Sequence, residues 1–339
     1  CRVNIQDIAR EAGVSIATVS RVINKPEVVT AATRRRVEDI IAAHRYTPNA
    51  LARGLLSSRS STVGVLTVDL LNPYYAAVVH SIERNLVHFG YNSFLCNTGD
   101  DRGEKERYIK TLLQKRVEGL VFVGSIYAAE NGTDVIRNAA RSVPVIVVNS
   151  VVEAENVYCV LCDDKKGVKL ATDHLLHQGS RKILFVNTLE TGSAQLKERA
   201  FLASLTTHPE ATHKVIETSG HSLPTLTRVL EDELRSRDYD AVFATDDLFA
   251  NAALTVLHAL GRRIPEDVAV VGYNDSNVSE FSFPRLTSID SRMDDLGKEC
   301  AVLLDQILAG KVDLAPVRYL EPRLVIKEST ERHAAGVLP

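Results

Sequence analysis

Five residues near the amino terminus have side chains suited to contacting DNA bases: Ser15, Ile16, Ala17, Thr18 and Arg21. The guanidinium fork of Arg21 matches O6 and N7 of guanine, a contact that contributes roughly 1 to 3 kcal/mol of discrimination between bases. Ile16 and Ala17 can offer only apolar contact, for example to a thymine methyl group. The alternative role for Arg21 is a contact to a DNA phosphate, which positions a protein without reading the base sequence.

The elements around these residues are predicted to be three short helices. Asn4 is a favourable N-cap with an acid three residues later, and the first helix would end at Gly13, which adopts a left-handed backbone at little cost. Ser15 would cap a second helix that runs to Asn24, and Thr30 would cap a third. Two helices joined by such a tight turn predict a helix-turn-helix, whose second helix lies in the major groove.

Three polar residues of the same segment are candidates for contact with the DNA backbone: Asn4, Ser20 and Asn24. Thr18, Ser20 and Asn24 could equally cap helices. Charge supports the interpretation, because residues 1–60 hold ten Lys or Arg against five Asp or Glu, whereas the rest of the chain holds 30 against 38. This asymmetry is typical of a basic nucleic-acid-binding segment on an acidic body.

The bulk composition excludes several classes of protein. A chain of 339 residues that is 45% hydrophobic and 24% charged should form two or three globular domains. Neither a membrane-spanning run nor a signal-peptide pattern is apparent, so we expect a cytoplasmic location. The five cysteines are scattered. Cys159 and Cys162 form a C-x-x-C, but it lies in an apolar strand without a second ligand pair, which favours core packing over zinc or redox chemistry, and we expect no metal or cofactor.

From residue 63 onward, short apolar runs alternate with amphipathic stretches, a pattern that predicts parallel β-α-β winding. The runs form two series, so the predicted fold is an all-α helix-turn-helix head followed by an α/β core of two doubly wound parallel-sheet subdomains with a ligand cleft between them. The first series comprises residues 63–68, 93–96, 119–123 and 143–148; the second comprises 182–186, 241–243 and 268–272.

A polar tether separates the two parts of the chain. Pro48 can begin a helix, but about eight residues is too short for a helix that is stable alone in water. We therefore predict four segments: a head at 1–46, a hinge helix and tether at 47–62, a core N-subdomain at 63–160 plus 291–321, and a core C-subdomain at 161–290 plus 322–339.

Residues 4–24 closely resemble the head of the lactose-repressor (LacI and GalR) family. Residues 46–55 resemble that family's hinge, and residues 69–75, 115–119 and 264–275 resemble its core, which is similar to periplasmic binding proteins. The nearest type is the catabolite-control regulators. The resemblance implies a transcriptional regulator, most simply a repressor of a carbohydrate or related metabolic operon, that is switched by a small molecule.

The same resemblance implies that Leu55 is a wedge that enters the DNA minor groove, with Ala52 and Arg53 against the same groove. Such hinge helices fold only on DNA, so a ligand that shifts the two subdomains can change DNA affinity. The alternative role of Leu55 is that of a core residue.

By resemblance, six residues line the effector cleft: Tyr74, Asn149, Lys197, His221, Asp246 and Asn274. Sugar-sensing relatives carry Arg at the position of Lys197 and Asp at that of Asn274, and Lys cannot form the bidentate fork of Arg. Either the ligand differs from a neutral sugar, for example by carrying a phosphate, or sensing has weakened. The alternatives are that Asp246 caps a helix and that Asn149 is a strand-end turn residue.

The expected partners are palindromic operator DNA, a sugar, sugar phosphate or related metabolite, and a second copy of the chain, with residues 75–87 at the dimer interface. Catabolite-control regulators also bind a phosphorylated carrier protein through arginines on the helix that corresponds to residues 294–308. In this chain that helix has Lys298 and contains no Arg after Arg292, so a protein corepressor is the less favoured alternative.

Two other classes of protein are alternatives. An enzyme would fit the doubly wound fold, but the sequence has no G-x-G-x-x-G, P-loop, H-E-x-x-H or G-x-S-x-G motif. A solute-binding protein would have an export signal and no helix-turn-helix. The sequence therefore favours a regulator that is not an enzyme.

Overall fold

The structure, a computed structural model, describes residues 3–46, 60–99, 101–128, 132–188, 191–217 and 223–331. The chain divides into two compact units, Cys1–Ser61 and Thr62–Pro339. The predicted head at 1–46 lies in the first unit, and we call the second unit the core. Of the predicted hinge and tether at 47–62, only residues 60–62 lie within the described ranges.

The described head is helical, as predicted. Its helices are α1 (Ile5–Ala12), α2 (Ile16–Asn24) and α3 (Ala31–Ala43), with a 3-10 turn at Pro26–Val28 that was not expected. The Asn4 side chain caps α1 in the predicted capping box, and Gly13 ends this helix at φ 64°, in the left-handed region. Thr30 occupies the N-cap position of α3 without a capping hydrogen bond, because its hydroxyl donates to Thr33 instead, at 3.0 Å.

A small apolar core holds the three helices of the head together. Ile8 of α1, Val19 of α2 and Val37 of α3 are fully buried at its centre, one from each helix. Ile40 and Ile41 pack around them, which confirms the apolar stripe predicted for α3. Since these stripes use one face of each helix, the opposite faces remain for contact with a partner.

Strands and helices alternate along most of the core. The strands are β1 (Thr62–Thr67), β2 (Asn92–Asn97), β3 (Gly119–Val123), β4 (Val145–Val148), β5 (Val157–Cys162), β6 (Lys182–Asn187), β7 (Thr212–Glu217), β8 (Ala241–Ala244), β9 (Ala269–Asn274), β10 (Thr287–Asp290), β11 (Val317–Leu320) and β12 (Arg323–Val325). The helices are α4 (Pro73–His88), α5 (Arg102–Gln114), α6 (Thr133–Ala140), α7 (Asp164–His177), α8 (Gly192–Leu205), α9 (Leu223–Ser236), α10 (Asp247–Ala259), α11 (Asn277–Phe281) and α12 (Met293–Leu308).

These strands form two six-stranded sheets. The first has the order β11-β5-β4-β3-β1-β2 and is parallel throughout. The second has the order β12-β10-β9-β8-β6-β7 and is parallel except for the β10–β12 pair. The chain passes between the sheets after β5, β10 and β11, so the fold is the predicted pair of doubly wound subdomains with one antiparallel edge.

The sequence pattern failed where a strand lies at a sheet edge or is very short. Residues 93–96 were expected to form a buried strand, but β2 is an edge strand, and Phe94 and Leu95 are 42% and 48% exposed. The pattern also missed β7, β10, β11 and β12, because edge or three- to four-residue strands have no long apolar run. Central strands β3 and β4, by contrast, are buried along their whole length.

The cysteines of the described chain belong to the interior of the core. Cys159 and Cys162 are buried and unbonded, and burial raises the pKa of the Cys162 thiol to about 12. Within the described ranges, no group of three His, Cys, Asp or Glu side chains could hold a metal ion. Nor does any helix in those ranges combine the length and hydropathy needed to cross a membrane.

Candidate nucleic-acid interface and ligand cavity

Helix α2 presents the residues predicted to read DNA bases on its open face. Ile16 is 45% exposed at the start of the helix, and Ala17 and Arg21 are exposed beside it and one turn later. Val19 and Val22 point the other way, into the head core. The side chains of Ile16, Ala17 and Arg21 are therefore exposed, as contact with base edges in the major groove requires.

The other candidate DNA contacts of the head have structural roles as well. The Ser15 hydroxyl accepts from the backbone N–H of Thr18 at 3.1 Å and lies 3.0 Å from the Thr18 hydroxyl. The Asn4 side chain accepts from two backbone N–H groups of α1, at 2.8 and 3.1 Å. Ser20 is half-buried, and the side chain of Asn24 lies outside the described part of the structure. Their contacts to DNA stay predictions.

Four further predicted site residues lie outside the described residues: Ala52, Arg53, Leu55 and His221. The remaining predicted effector residues come together in the core. Tyr74, Asn149, Lys197, Asp246 and Asn274 all line one cavity of about 330 Å³. This is the expected place for a ligand, because the carboxyl ends of the parallel strands meet there.

Residues from both subdomains line the cavity, and their side chains are polar, aromatic and aliphatic. The additional lining residues are Asp69, Leu71, Asn72, Tyr75, Ser125, Thr188, Thr191, Ser193, Ala194, Leu223, Thr245, Leu248 and Phe249. Such a mixture of aromatic and aliphatic surface with a few convergent polar groups is typical of a small-molecule site.

Asp246 connects the two sides of the cavity. One of its oxygens accepts from the backbone N–H of Leu248 at 2.8 Å, so Asp246 does cap α10, as the alternative interpretation held. Its other oxygen accepts from Asn274 at 3.2 Å and from Asn72 at 3.5 Å. Asn72 follows β1 in the first sheet and Asn274 ends β9 in the second, so this carboxylate links the two subdomains across the cleft.

Lys197 does not extend freely into the cavity. The residue is only 7% exposed, and its ammonium lies 3.8 Å from a carboxylate oxygen of Asp164 and 3.7 Å from the ring centroid of Tyr273. The Tyr273 hydroxyl donates to Asp164 at 2.8 Å. Burial, together with the Asp164 charge, raises the pKa of Tyr273 well above its ordinary value, so this hydroxyl stays protonated and can donate.

Two buried hydroxyls at the cavity have no hydrogen-bond partner among the described residues. They belong to Tyr74 and Thr188. Burial raises the pKa of Tyr74 well above its ordinary value, so it remains a neutral donor. Buried polar groups in native proteins are nearly always hydrogen-bonded, and these two therefore suit a cavity that takes a hydrogen-bonding ligand.

The sequence matches two families of known proteins. Residues 60–323 match the family described as "Periplasmic binding proteins and sugar binding domain of LacI family". Residues 4–49 match "Bacterial regulatory proteins, lacI family". The chain belongs to the LacI family of transcriptional regulators.

Relatives of this LacI-family chain match it along almost its whole length. A protein of Lachnoclostridium phytofermentans described as an HTH-type transcriptional regulator is 34% identical over 331 residues, which cover 96% of this chain and 99% of the relative. Among solved structures, a CelR–cellobiose complex is 30% identical with a TM-score of 0.71, over 97% of this chain and 100% of that one. The lac repressor dimer bound to operator has a TM-score of 0.87 at 24% identity, over 97% and 99%.

A catabolite-control regulator is among the matched folds. CcpA of Lactococcus lactis is 23% identical with a TM-score of 0.72, over 80% of this chain and 99% of that chain. The expected family, the helical head and the two parallel-sheet subdomains are thus confirmed, and at this identity the likeness to CcpA is one of fold.

Sequence reasoning missed several polar groups around the LacI-family cavity. Asp164 and Ser193 were not singled out, although the hydroxyl of the cavity residue Ser193 donates to Asp164 at 2.5 Å. A signal for Asp164 exists, because it lies two residues after the apolar strand β5 at the start of a helix, and strand ends carry functional side chains. Its pairing with Lys197 depends on tertiary packing and leaves no local pattern.

Asp247, next to the cavity residue Asp246, anchors the loop that follows Asn274 at the end of β9. It is only 1% exposed and accepts from the backbone N–H and hydroxyl of Ser276 at 2.7 and 2.8 Å and from the Ser288 hydroxyl at 2.6 Å. Burial raises the pKa of Asp247 to about 7, although these hydrogen bonds oppose the shift.

We expect Asp247→Asn to flatten the pH dependence of the core's stability. The unfolded pKa is about 3.9, so the folded state holds the extra proton between about pH 4 and 7, and the free energy of unfolding falls by up to about 4 kcal/mol as the pH rises through this window. The amide keeps the shape, and its NH₂ can donate to Ser288. Urea unfolding at pH 5 and pH 8 measures the difference; an equally steep dependence in the variant would contradict the assignment.

Proposed function

We propose that this protein is a repressor of a carbohydrate or related metabolic operon, and that a small molecule bound in the core cavity controls its affinity for operator DNA. The observation that carries the proposal is that five predicted effector residues line one cavity in a LacI-family core. The exposed face of α2 supplies base contacts through Ile16, Ala17 and Arg21, with Ser15 and Thr18 beside them.

The protein acts as a homodimer on a palindromic operator. Two-fold operators require two heads, and residues 75–87 on α4 are the proposed contact in the first subdomain. Val87, near the C-terminal end of α4, is 56% exposed, and Phe281 and Phe283 in the second subdomain are 87% and 82% exposed. Aromatic side chains with so much exposed surface are typical of subunit interfaces, where they become buried.

We propose that the segment 47–62 couples the ligand cavity to DNA binding. It connects a head at 1–46 to the core. The proposed N-subdomain of the core comprises 63–160 and 291–321, and its C-subdomain comprises 161–290 and 322–339. Leu55 enters the minor groove together with its symmetry mate, flanked by Ala52 and Arg53. Ligand binding shifts the subdomains and thereby the spacing of the two hinges.

We propose that the protein is a cytoplasmic regulator and not an enzyme. The small molecule alone is its proposed effector, because the arginines near α12 are engaged within the chain: Arg292 pairs with Asp295, and Arg318 pairs with Glu299. Asn4, Ser20 and Asn24 are proposed contacts to DNA phosphates, and His221 is a proposed sixth effector residue.

Selection from a randomised duplex pool at fixed salt tests the DNA-binding part of the proposal. We expect the full chain to enrich one palindrome. We expect Leu55→Ala to weaken binding to it at least about tenfold, because unstacking a base step costs a few kcal/mol and the variant lacks the apolar wedge that offsets this cost. Leu202→Ala, on the exposed side of α8 in the core, is the matched control. Salt-sensitive binding without any sequence preference would contradict the proposal.

A further inference from the structure

The charged side chain of Lys197 at the cavity is surrounded by groups of the protein itself. An ammonium group has three N–H donors. Three electron-rich groups surround that of Lys197: Asp164 Oδ1 at 3.8 Å, the backbone oxygen of Thr245 at 3.4 Å and the ring centroid of Tyr273 at 3.7 Å. Each of these three groups attracts the ammonium, so the protein competes with a ligand for the N–H donors of Lys197.

Asp164 is fixed as the partner of this lysine. It is 7% exposed, its Oδ1 accepts from the Tyr273 hydroxyl at 2.8 Å, and its Oδ2 accepts from the Ser193 hydroxyl at 2.5 Å. Hydrogen bonds to both oxygens hold the orientation of this carboxylate. The charge of Asp164 thus offsets the positive charge of Lys197 within a buried pair that would be costly to break.

The remaining charges of the described lining are negative. Asp69 and Asp246 both border the ligand space, and Lys197 is the single cation among the described lining residues. Asp69 Oδ1 accepts from the backbone N–H of Leu71 at 2.9 Å, and the carboxylates of Asp69 and Asp246 can also accept hydroxyl or N–H donors. A phosphate or carboxylate placed between these two residues would meet like charge without a free cation, which opposes its binding.

We propose that the effector carries no phosphate or carboxylate group, and that Asp164 is the positioning residue that enforces this exclusion by holding Lys197 away from the ligand. The effector is an uncharged molecule with several hydroxyl or N–H donors for Asp69 and Asp246 and an apolar face for Leu248 and Phe249. This inference rests on the proposed effector site, and it decides against the phosphorylated ligand that the replacement of arginine by Lys197 had suggested.

Titration of matched ligand pairs into the full chain tests the inference. The probes are D-glucose and its 6-phosphate, D-ribose and its 5-phosphate, cellobiose and cellobiose 6′-phosphate, and adenine and adenosine monophosphate, each followed by calorimetry and thermal shift. In the wild-type protein we expect only uncharged members to bind. In Asp164→Asn, the freed ammonium should improve the binding of the phosphorylated partner of that ligand at least about tenfold relative to the uncharged one.

Asp163→Asn is the matched control, because it removes the same charge one residue earlier while asparagine can still cap α7. Tighter binding of a phosphorylated member to the wild-type protein would overturn the inference and leave the proposed regulator intact, and this comparison needs no variant. An unchanged preference in Asp164→Asn, or an equal change in Asp163→Asn, would overturn the role of Asp164. If the protein selects an operator but binds no probe of either kind, the proposed effector class fails, and the inference fails with it.

Discussion

Gly297→Ala should lower the free energy of unfolding of the core by about 3 kcal/mol, because the added methyl group has no room at a helix crossing and overpacks it. Gly297 lies on α12 where that helix crosses α4. A Cβ atom there would lie 2.4 Å from Ser81 Cβ and 2.6 Å from the backbone nitrogen of Ile82. The second atom belongs to the backbone, so the clash can be relieved only by moving one helix away from the other.

The surroundings make that movement costly. The Ser81 hydroxyl donates to the backbone oxygen of Asp294 at 2.7 Å, which ties the two helices together at the same point. Buried side chains from both helices, among them Ile82, Leu296 and Leu304, share one apolar cluster beneath the first sheet. Separating the helices would open gaps in this cluster and break the hydrogen bond.

Urea unfolding followed by circular dichroism at fixed protein concentration measures the effect. The matched control is Gly192→Ala, at the start of α8, because a Cβ there meets no atom within 4 Å. In that variant, alanine should change stability by no more than about 1 kcal/mol, in the stabilising direction, since glycine is the poorer helix former. Equal stability of the two variants would mean that α4 and α12 do not make this close contact.

Arg21→Ala should weaken binding to the selected operator about ten- to hundredfold, which corresponds to the loss of one bidentate guanine contact. Binding to unrelated duplexes should change much less, and the preference at one base position should relax. Fluorescence anisotropy with operator and scrambled duplexes at the same salt concentration gives the dissociation constants for both duplexes.

The control for Arg21 is Arg10→Ala, which removes the same charge from the exposed face of α1, where Arg10 pairs with Asp7 at 3.4 Å. Its loss should reduce the affinity for both duplexes only slightly, because a single exposed ion pair and one distant charge contribute little. If Arg21→Ala instead reduces operator and scrambled binding by the same factor, Arg21 is a phosphate contact and does not read the base sequence.

Local signals made the head predictable. The cap at Asn4, the left-handed Gly13 and the cap at Ser15 each act within four residues, so the helix limits follow from the sequence alone. In the core, the apolar runs located the central strands for the same reason. The pattern located the edge strand β2 but not its exposure, and it missed the edge strand β7, because an edge strand need not be apolar on both faces.

The cavity was predictable only through family resemblance. Tyr74 lies on α4, Asn149 directly follows β4 and Asn274 ends β9, and no periodicity brings these three residues together. The pairing of Asp164 with Lys197 joins two helices of the second subdomain across 33 positions of sequence. It depends on how α7 and α8 pack, and it reverses the conclusion that the isolated lysine suggested about ligand charge.

We propose that occupancy of the core cavity controls DNA binding by the head. The most direct measurement is the dissociation constant of the full chain for its selected operator, with and without a saturating concentration of the uncharged probe that binds in calorimetry. A probe of the same panel that does not bind serves as the control. We predict a change of at least about tenfold in either direction, within the usual range of coupling free energies. An operator affinity that stays the same while the cavity is saturated would contradict the account.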